Sequence, residues 1–156
     1  VIKFANKGGK VLGVCNGFQI LCESGLLSGG LLLNDHQKFT CKNVYIKSEG
    51  DATFVGKNAG TKALKIPVAH GEGRYVADAA TIEKLTANNQ IVFRYCNENG
   101  EVHMDSNPNG TTNNIAGICN EGRNVFGMMP HPERACSDEL HNIDGRAILE
   151  AFAKMN

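Results

Sequence analysis

Val11-Leu12-Gly13-Val14-Cys15-Asn16-Gly17-Phe18-Gln19-Ile20-Leu21 is the stretch on which the fold turns. A short apolar run leads into a sharp turn and then a helical pattern, with Cys15 at the apex and a glycine two residues to either side. Glycine-x-nucleophile-x-glycine spells a nucleophile elbow, a strand-to-helix turn that lifts its central side chain clear of a sheet. The requirement is steric. The apex residue sits in a strained conformation, and Gly13 and Gly17 are expected to remove the Cβ atoms that would collide where strand and helix pass. The helix that begins at the sulfur offers unpaired N–H groups to a thiolate, and the N–H of Asn16 is placed to donate to an oxyanion. The same spelling also fits a structural cysteine buried after a parallel strand, since Cys is among the most buried residue types.

Working outward, residues 18–24 are predicted helical, with Gly25 ending the helix in a left-handed conformation. Leu31-Leu32-Leu33 is a short apolar run, and residues 39–47 alternate as a strand. Their apolar set Phe39, Cys41, Val44 and Ile46 requires one register break, placed as a bulge near Asn43. Residues 50–51 and 56–60 are turn material. Residues 63–70 read as another strand, confined to an edge or a strand end by Pro67. Thr81 is the expected cap of a short helix through Ala87, with Glu83 in its first turn. Strands are predicted at residues 91–95, 115–119 and 125–129, with a long Asn- and Gly-rich loop over residues 97–114, a length that in small domains usually marks function or mobility. Ile148, Leu149 and Phe152 sit at helical spacing in a closing helix over residues 143–155. Strands mixed with helices around an elbow argue one α/β domain with a central parallel sheet.

The second chemical cluster, Met128-Met129-Pro130-His131-Pro132-Glu133-Arg134, follows directly on the last predicted strand. Pro132 biases His131 toward extended geometry, so His131 and Glu133, two residues apart, are expected to point the same way. A carboxylate can then accept from one imidazole nitrogen while the other faces a thiol. A surface His and Glu in a proline-rich turn is the bland alternative. A cysteine elbow and a His-x-Glu, both following strands, weaken it, because strand ends are where α/β sheets build sites.

Composition narrows the classes further. The chain has 156 residues, sixteen basic against sixteen acidic, so no global field favours nucleic acid or an anionic membrane. It has no run of about 18 apolar residues to cross a bilayer, and its first residues lack a signal-peptide layout. The six cysteines form no C-x-x-C pair and no zinc-ligand spacing. Free thiols in a cytoplasmic, reducing setting are the expectation, with no metal site.

Gly13-Val14-Cys15-Asn16-Gly17-Phe18-Gln19 and Pro130-His131-Pro132-Glu133-Arg134 resemble the two signatures of class I, triad-type glutamine amidotransferases. The spelling of the elbow, Val68-Ala69-His70-Gly71-Glu72-Gly73 and residues 128–134 point to the purine-biosynthetic branch of that family. The resemblance runs over essentially the whole chain. It implies a flavodoxin-like central, mostly parallel sheet with flanking helices and a smaller antiparallel β portion. The family also implies a preceding portion with the first strands and a second oxyanion donor. Nothing here matches that portion, so the chain reads as the C-terminal roughly two-thirds of one type 1 amidotransferase domain, N-terminally truncated.

The resemblance implies roles as well. Cys15 would attack the side-chain amide of glutamine, His131 would move the proton and Glu133 would orient it. Asn16 and Gln19 would contact substrate or oxyanion, and the main chain at His70 and Gly71 would hold the α-amino and carboxylate groups. Without the resemblance, Gln19 is an exposed helix residue and His70 lies in a Gly-flanked turn. The implied partners are a synthetase subunit or domain of the same enzyme, which holds ATP and magnesium, and a small third subunit. Gly71-Glu72-Gly73 alone is too weak to cradle a phosphate, so no cofactor is expected in this chain. Arg74 and Arg134 are candidates to face the synthetase, though solvated surface charge is the better account of Arg74. Another class I amidotransferase, a non-catalytic module of the same fold and a cysteine peptidase are the competing functions.

Overall fold

The computed structural model describes residues 1–49 and 62–154; the turns expected at residues 50–51 and 56–60 lie outside them. A six-stranded sheet is ordered β1 (Val11–Val14), β8 (Val125–Met128), β7 (Ile115–Cys119), β6 (Ile91–Cys96), β3 (Thr40–Ser48) and β4 (Leu64–His70). A separate antiparallel pair joins β2 (Gly30–Leu32) to β5 (Arg74–Val76). Among the described residues, the helices are α1 (Ile2–Ala5), α2 (Asn16–Glu23), α3 (Ala79–Ala87) and α4 (Arg146–Ala153).

Among the described residues, only β1 and β8 pair in parallel; the other four ladders of this sheet are antiparallel. The antiparallel portion expected to be the smaller is thus the larger one among the described residues. The connections explain it. Only residues 120–124 separate β7 from β8, too few for the crossover that parallel neighbours need. The alternation still sends β1, β8, β6 and β4 in one direction. Cys15, His131 and His70, which follow or end three of those strands, therefore share one edge of the sheet.

The sheet curls until its far edge meets the segment that follows β8, where the His131 N–H donates to the Pro67 carbonyl at 2.8 Å. Further along β4, the Lys65 N–H donates to Asp144 and its carbonyl accepts from Asn142. Pro67 sits on an edge strand, as its missing N–H demands. Inside the curl, Ile46, Ile66, Val68 and Tyr95 are fully buried beneath Ile148 of α4. On the opposite face, Phe18 and Leu21 of α2 and Leu85 of α3 cover the sheet, and Phe18 stacks on Tyr75 with centroids 5.7 Å apart. Burying one such ring is worth about 2–3 kcal/mol.

Several local expectations meet a different physical outcome. The β3–β4 register runs unbroken from Thr40↔His70 to Ile46↔Leu64, with no bulge at Asn43. Thr40, Val44 and Ile46 face inward, and Phe39 and Cys41 are left exposed. The irregularities lie instead between β6 and β7. Helix α3 starts earlier than expected and is capped by Asp78, whose carboxylate accepts from the Thr81 N–H at 2.8 Å. Thr81 is the third residue of that helix, so the acceptor it was expected to supply comes from Asp78. At the end of α2, Gly25 has φ +73°; its N–H reaches the Cys22 carbonyl and that of Leu26 reaches Leu21, a Schellman closure. Residues 104–106 and 112–114 form short 3₁₀ turns within the long loop.

Candidate active site

Cys15 carries the strain that the elbow requires, with φ +54° and ψ −109°, between β1 and the first turn of α2. Gly13 is where the crowding falls: a Cβ there would lie 2.5 Å from the Leu21 side chain and 2.6 Å from the Gly17 backbone. Gly17 itself is not crowded, since a Cβ on it would meet nothing within 4 Å. The second glycine therefore matters here through its backbone, which Gly13 must clear, rather than through its own missing side chain.

The parallel pairing sets the approach of the second cluster. Val14 pairs with Met128, and the Cys15 N–H continues the ladder to the Met128 carbonyl at 2.8 Å. The chain leaving β8 then places His131 within two residues of the position opposite Cys15. The His131 ring is buried, and its Nδ1 lies 2.6 Å from Glu133 Oε1. A 3₁₀ turn over Pro132–Arg134, not the expected extended segment, brings the carboxylate back to the ring. With Nδ1 donating to Glu133, the neutral ring keeps its lone pair on Nε2, which is buried without a protein partner.

Cys15 and His131 line one cleft of about 480 Å³, together with Asn16, Gln19, His70, Gly71 and Arg134. Of the seven residues expected to be catalytic or substrate-binding, six border it, and Glu133 stands behind His131. Phe39 is at its wall and two-thirds exposed. Gln19 is held along α2 by a bond from its side-chain amide to Glu23 at 3.1 Å.

Burial raises the Cys15 thiol above its ordinary value, and this outweighs the Asn16 N–H and the Arg134 guanidinium, which both pull it down; the Glu133 carboxylate adds slightly to the rise. The expectation of a helix-stabilised thiolate is met in direction by Asn16 but not in the net result. A thiol raised in this way holds its proton at neutral pH, so it can act as a nucleophile only beside a base that takes that proton.

His70 is buried and held neutral. Desolvation, with the His131 charge next, pushes it down to about 4. The unfolded chain binds this proton near pH 6.5 and the folded chain only near 4, so acidification across that interval favours unfolding. Between pH 7 and 4 the His70 contribution is expected to lower stability by about 2–3 kcal/mol. Urea unfolding at both pH values checks it, and His70→Gln should flatten that part of the slope.

Asn34 was not legible as a site residue. It lies in a loop with no periodic pattern around it, yet it is 1% exposed and its side chain contacts the His70 segment. Among the described residues no cluster of three or more His, Cys, Asp or Glu could hold a metal ion, and no helix is long and apolar enough to cross a membrane. All six cysteines are free thiols.

Residues 1–154 match the CobB/CobQ-like glutamine amidotransferase domain. The chain belongs to this family. Among its amidotransferase relatives, the phosphoribosylformylglycinamidine synthase subunit PurQ of Koribacter versatilis is 54% identical over 97% of this chain and 66% of its own length. That of Moorella thermoacetica is 52% identical over 97% of this chain and 65% of its own. The solved structure of PurLQS from Thermotoga maritima superimposes with a TM-score of 0.79 at 39% identity, covering 97% of this chain and 64% of that one. A second glutamine amidotransferase from Thermotoga maritima, at 17% identity and TM-score 0.55, shares the amidotransferase fold. The chain spans about two thirds of the length of the curated relatives it matches.

Proposed function

We propose that this chain is the glutaminase part of a phosphoribosylformylglycinamidine synthase, releasing ammonia from glutamine for use in purine biosynthesis. The observation that carries the reading is His131, backed by Glu133, in one cleft with a strained cysteine elbow. The Glu133 carboxylate fixes the imidazole with its free nitrogen available as base. His131 takes the Cys15 proton as sulfur attacks the glutamine carboxamide carbon. The oxyanion accepts from the Asn16 N–H, and His131 then protonates the departing nitrogen, leaving a γ-glutamyl thioester and ammonia. Water, activated by the same imidazole, hydrolyses the thioester to glutamate and restores the thiol. Gln19 and the His70–Gly71 main chain hold the amino-acid end of the substrate. ATP, magnesium and the ribonucleotide belong to a synthetase partner, which receives the ammonia. The names PurQ and PurLQS on its relatives support that partnership.

The test is intact-mass analysis of the full-length protein after exposure to a diazo-ketone analogue of glutamine. One adduct on wild type, none on Cys15→Ala, and protection by excess glutamine are expected. Glutamate and ammonia release, measured with and without the ATP-dependent synthetase, completes it. A folded protein that takes no adduct and releases no ammonia points instead to a non-catalytic module; ammonia release that a different synthetase stimulates points to another class I amidotransferase.

A further inference from the structure

We propose that Asn34 is a positioning residue for glutamine, its single side-chain amide holding the His70–Gly73 loop in place and fixing His70 in the tautomer with its proton on Nδ1. This rests on the glutaminase reading above.

The amide orientation follows from its neighbours. One end of the Asn34 side chain faces two backbone carbonyls, those of Lys38 at 2.8 Å and His70 at 2.9 Å. Carbonyls only accept, so that end is the NH₂ group. The other end is then the oxygen, which accepts from His70 Nδ1 at 3.0 Å, the Gly73 N–H at 3.3 Å and Asn109 Nδ2 at 3.4 Å. The Asn34 backbone N–H donates to the Gly71 carbonyl at 2.9 Å. His70, Gly71 and Gly73 are thus all tied to one residue that does not itself line the cleft. The β4 ladder ends at His70; past it, the Asn34 side-chain amide and backbone N–H together hold the main chain.

The tautomer is forced by the same bonds. An oxygen opposite Nδ1 requires the ring proton there, leaving the lone pair on Nε2, which is buried with no protein partner. The His131 charge acts on this ring, so a cationic His70 would repel the imidazolium that His131 becomes in catalysis. Gly73 allows the arrangement. A Cβ on it would lie 2.3 Å from His70 Nδ1, in the space between the ring and the loop.

Two measurements on the full-length protein test the proposal. In long-range proton–nitrogen spectra of wild type, His70 is expected to show a protonated Nδ1 and a bare Nε2, and Asn34→Ala should average the two nitrogens. The opposite tautomer in wild type overturns the proposal, whether or not the chain proves to be a glutaminase. In steady-state kinetics, Asn34→Ala and Asn34→Asp should raise KM for glutamine at least tenfold with kcat changed less than threefold. Alkylation of Cys15 by iodoacetamide, which needs no substrate loop, should stay at the wild-type rate. Gly73→Ala, which displaces the ring without altering Asn34, should give the same KM effect if Asn34→Ala does not fold. An unchanged KM, or iodoacetamide reactivity lost in parallel, assigns Asn34 a purely structural role and overturns the proposal. A wild type that releases no ammonia fails the glutaminase reading alone.

Discussion

Exchanging Cys15 for serine is expected to lower glutamine hydrolysis by about 10⁴-fold or more while leaving the fold intact. The thiol is already raised by burial, so in the proposed mechanism even sulfur depends on His131 to lose its proton. A serine hydroxyl is a far weaker acid in the same desolvated position, and the imidazole that suffices for a thiol is poorly matched to it. The strain at φ +54° is set by the surrounding strand and helix, and serine can occupy it as cysteine does. The readouts are glutamate release and the mass of the protein after the diazo-ketone analogue. A serine variant that turns over glutamine within tenfold of wild type removes Cys15 from the nucleophile's role.

The second large effect belongs to a residue that touches no substrate. Gly13→Ala is expected to destabilise the protein by about 3 kcal/mol and to abolish adduct formation at Cys15. Its Cβ would lie 2.6 Å from the Gly17 carbonyl carbon and oxygen, and backbone cannot rotate away as a side-chain tip can. Relief requires β1 and α2 to separate at the turn that aims the sulfur. Gly17→Ala is the control: with nothing within 4 Å of its Cβ, it should gain up to about 1 kcal/mol from helix propensity. Denaturant midpoints and adduct rates for the pair distinguish backbone crowding at Gly13 from a general need for glycine in the motif. Equal tolerance at both positions would remove the steric account of the elbow.

Much of the candidate site's geometry was legible because its residues are local in sequence. The strand, apex cysteine and helix are contiguous, and His131 and Glu133 are two residues apart, so spacing and residue type carry the signal. The sheet's directions were harder to read. Parallel and antiparallel strands share the same alternation, and only connection length distinguishes them; the link between β7 and β8 held that information. The inward set of β3 was misread because Phe39 and Cys41 are apolar yet exposed, Phe39 standing at the cleft wall. The Asp78 cap was missed for Thr81 three residues later, both being good capping types. Asn34 could not be found this way. Its partners are up to 75 positions away, and a buried asparagine in an irregular loop has no period to betray it.

The two margins of the six-stranded sheet differ in what they can accept. Along β4, the His131 amide, the Asp144 carboxylate and the Asn142 amide occupy the main-chain groups of Pro67 and Lys65, and proline removes one donor outright. That margin is closed to any incoming strand. Along β1, β8 lies on one side and, among the described residues, no strand lies on the other. Among the described residues, the margin beside β1, the strand that leads into Cys15, is therefore the one left able to accept a strand.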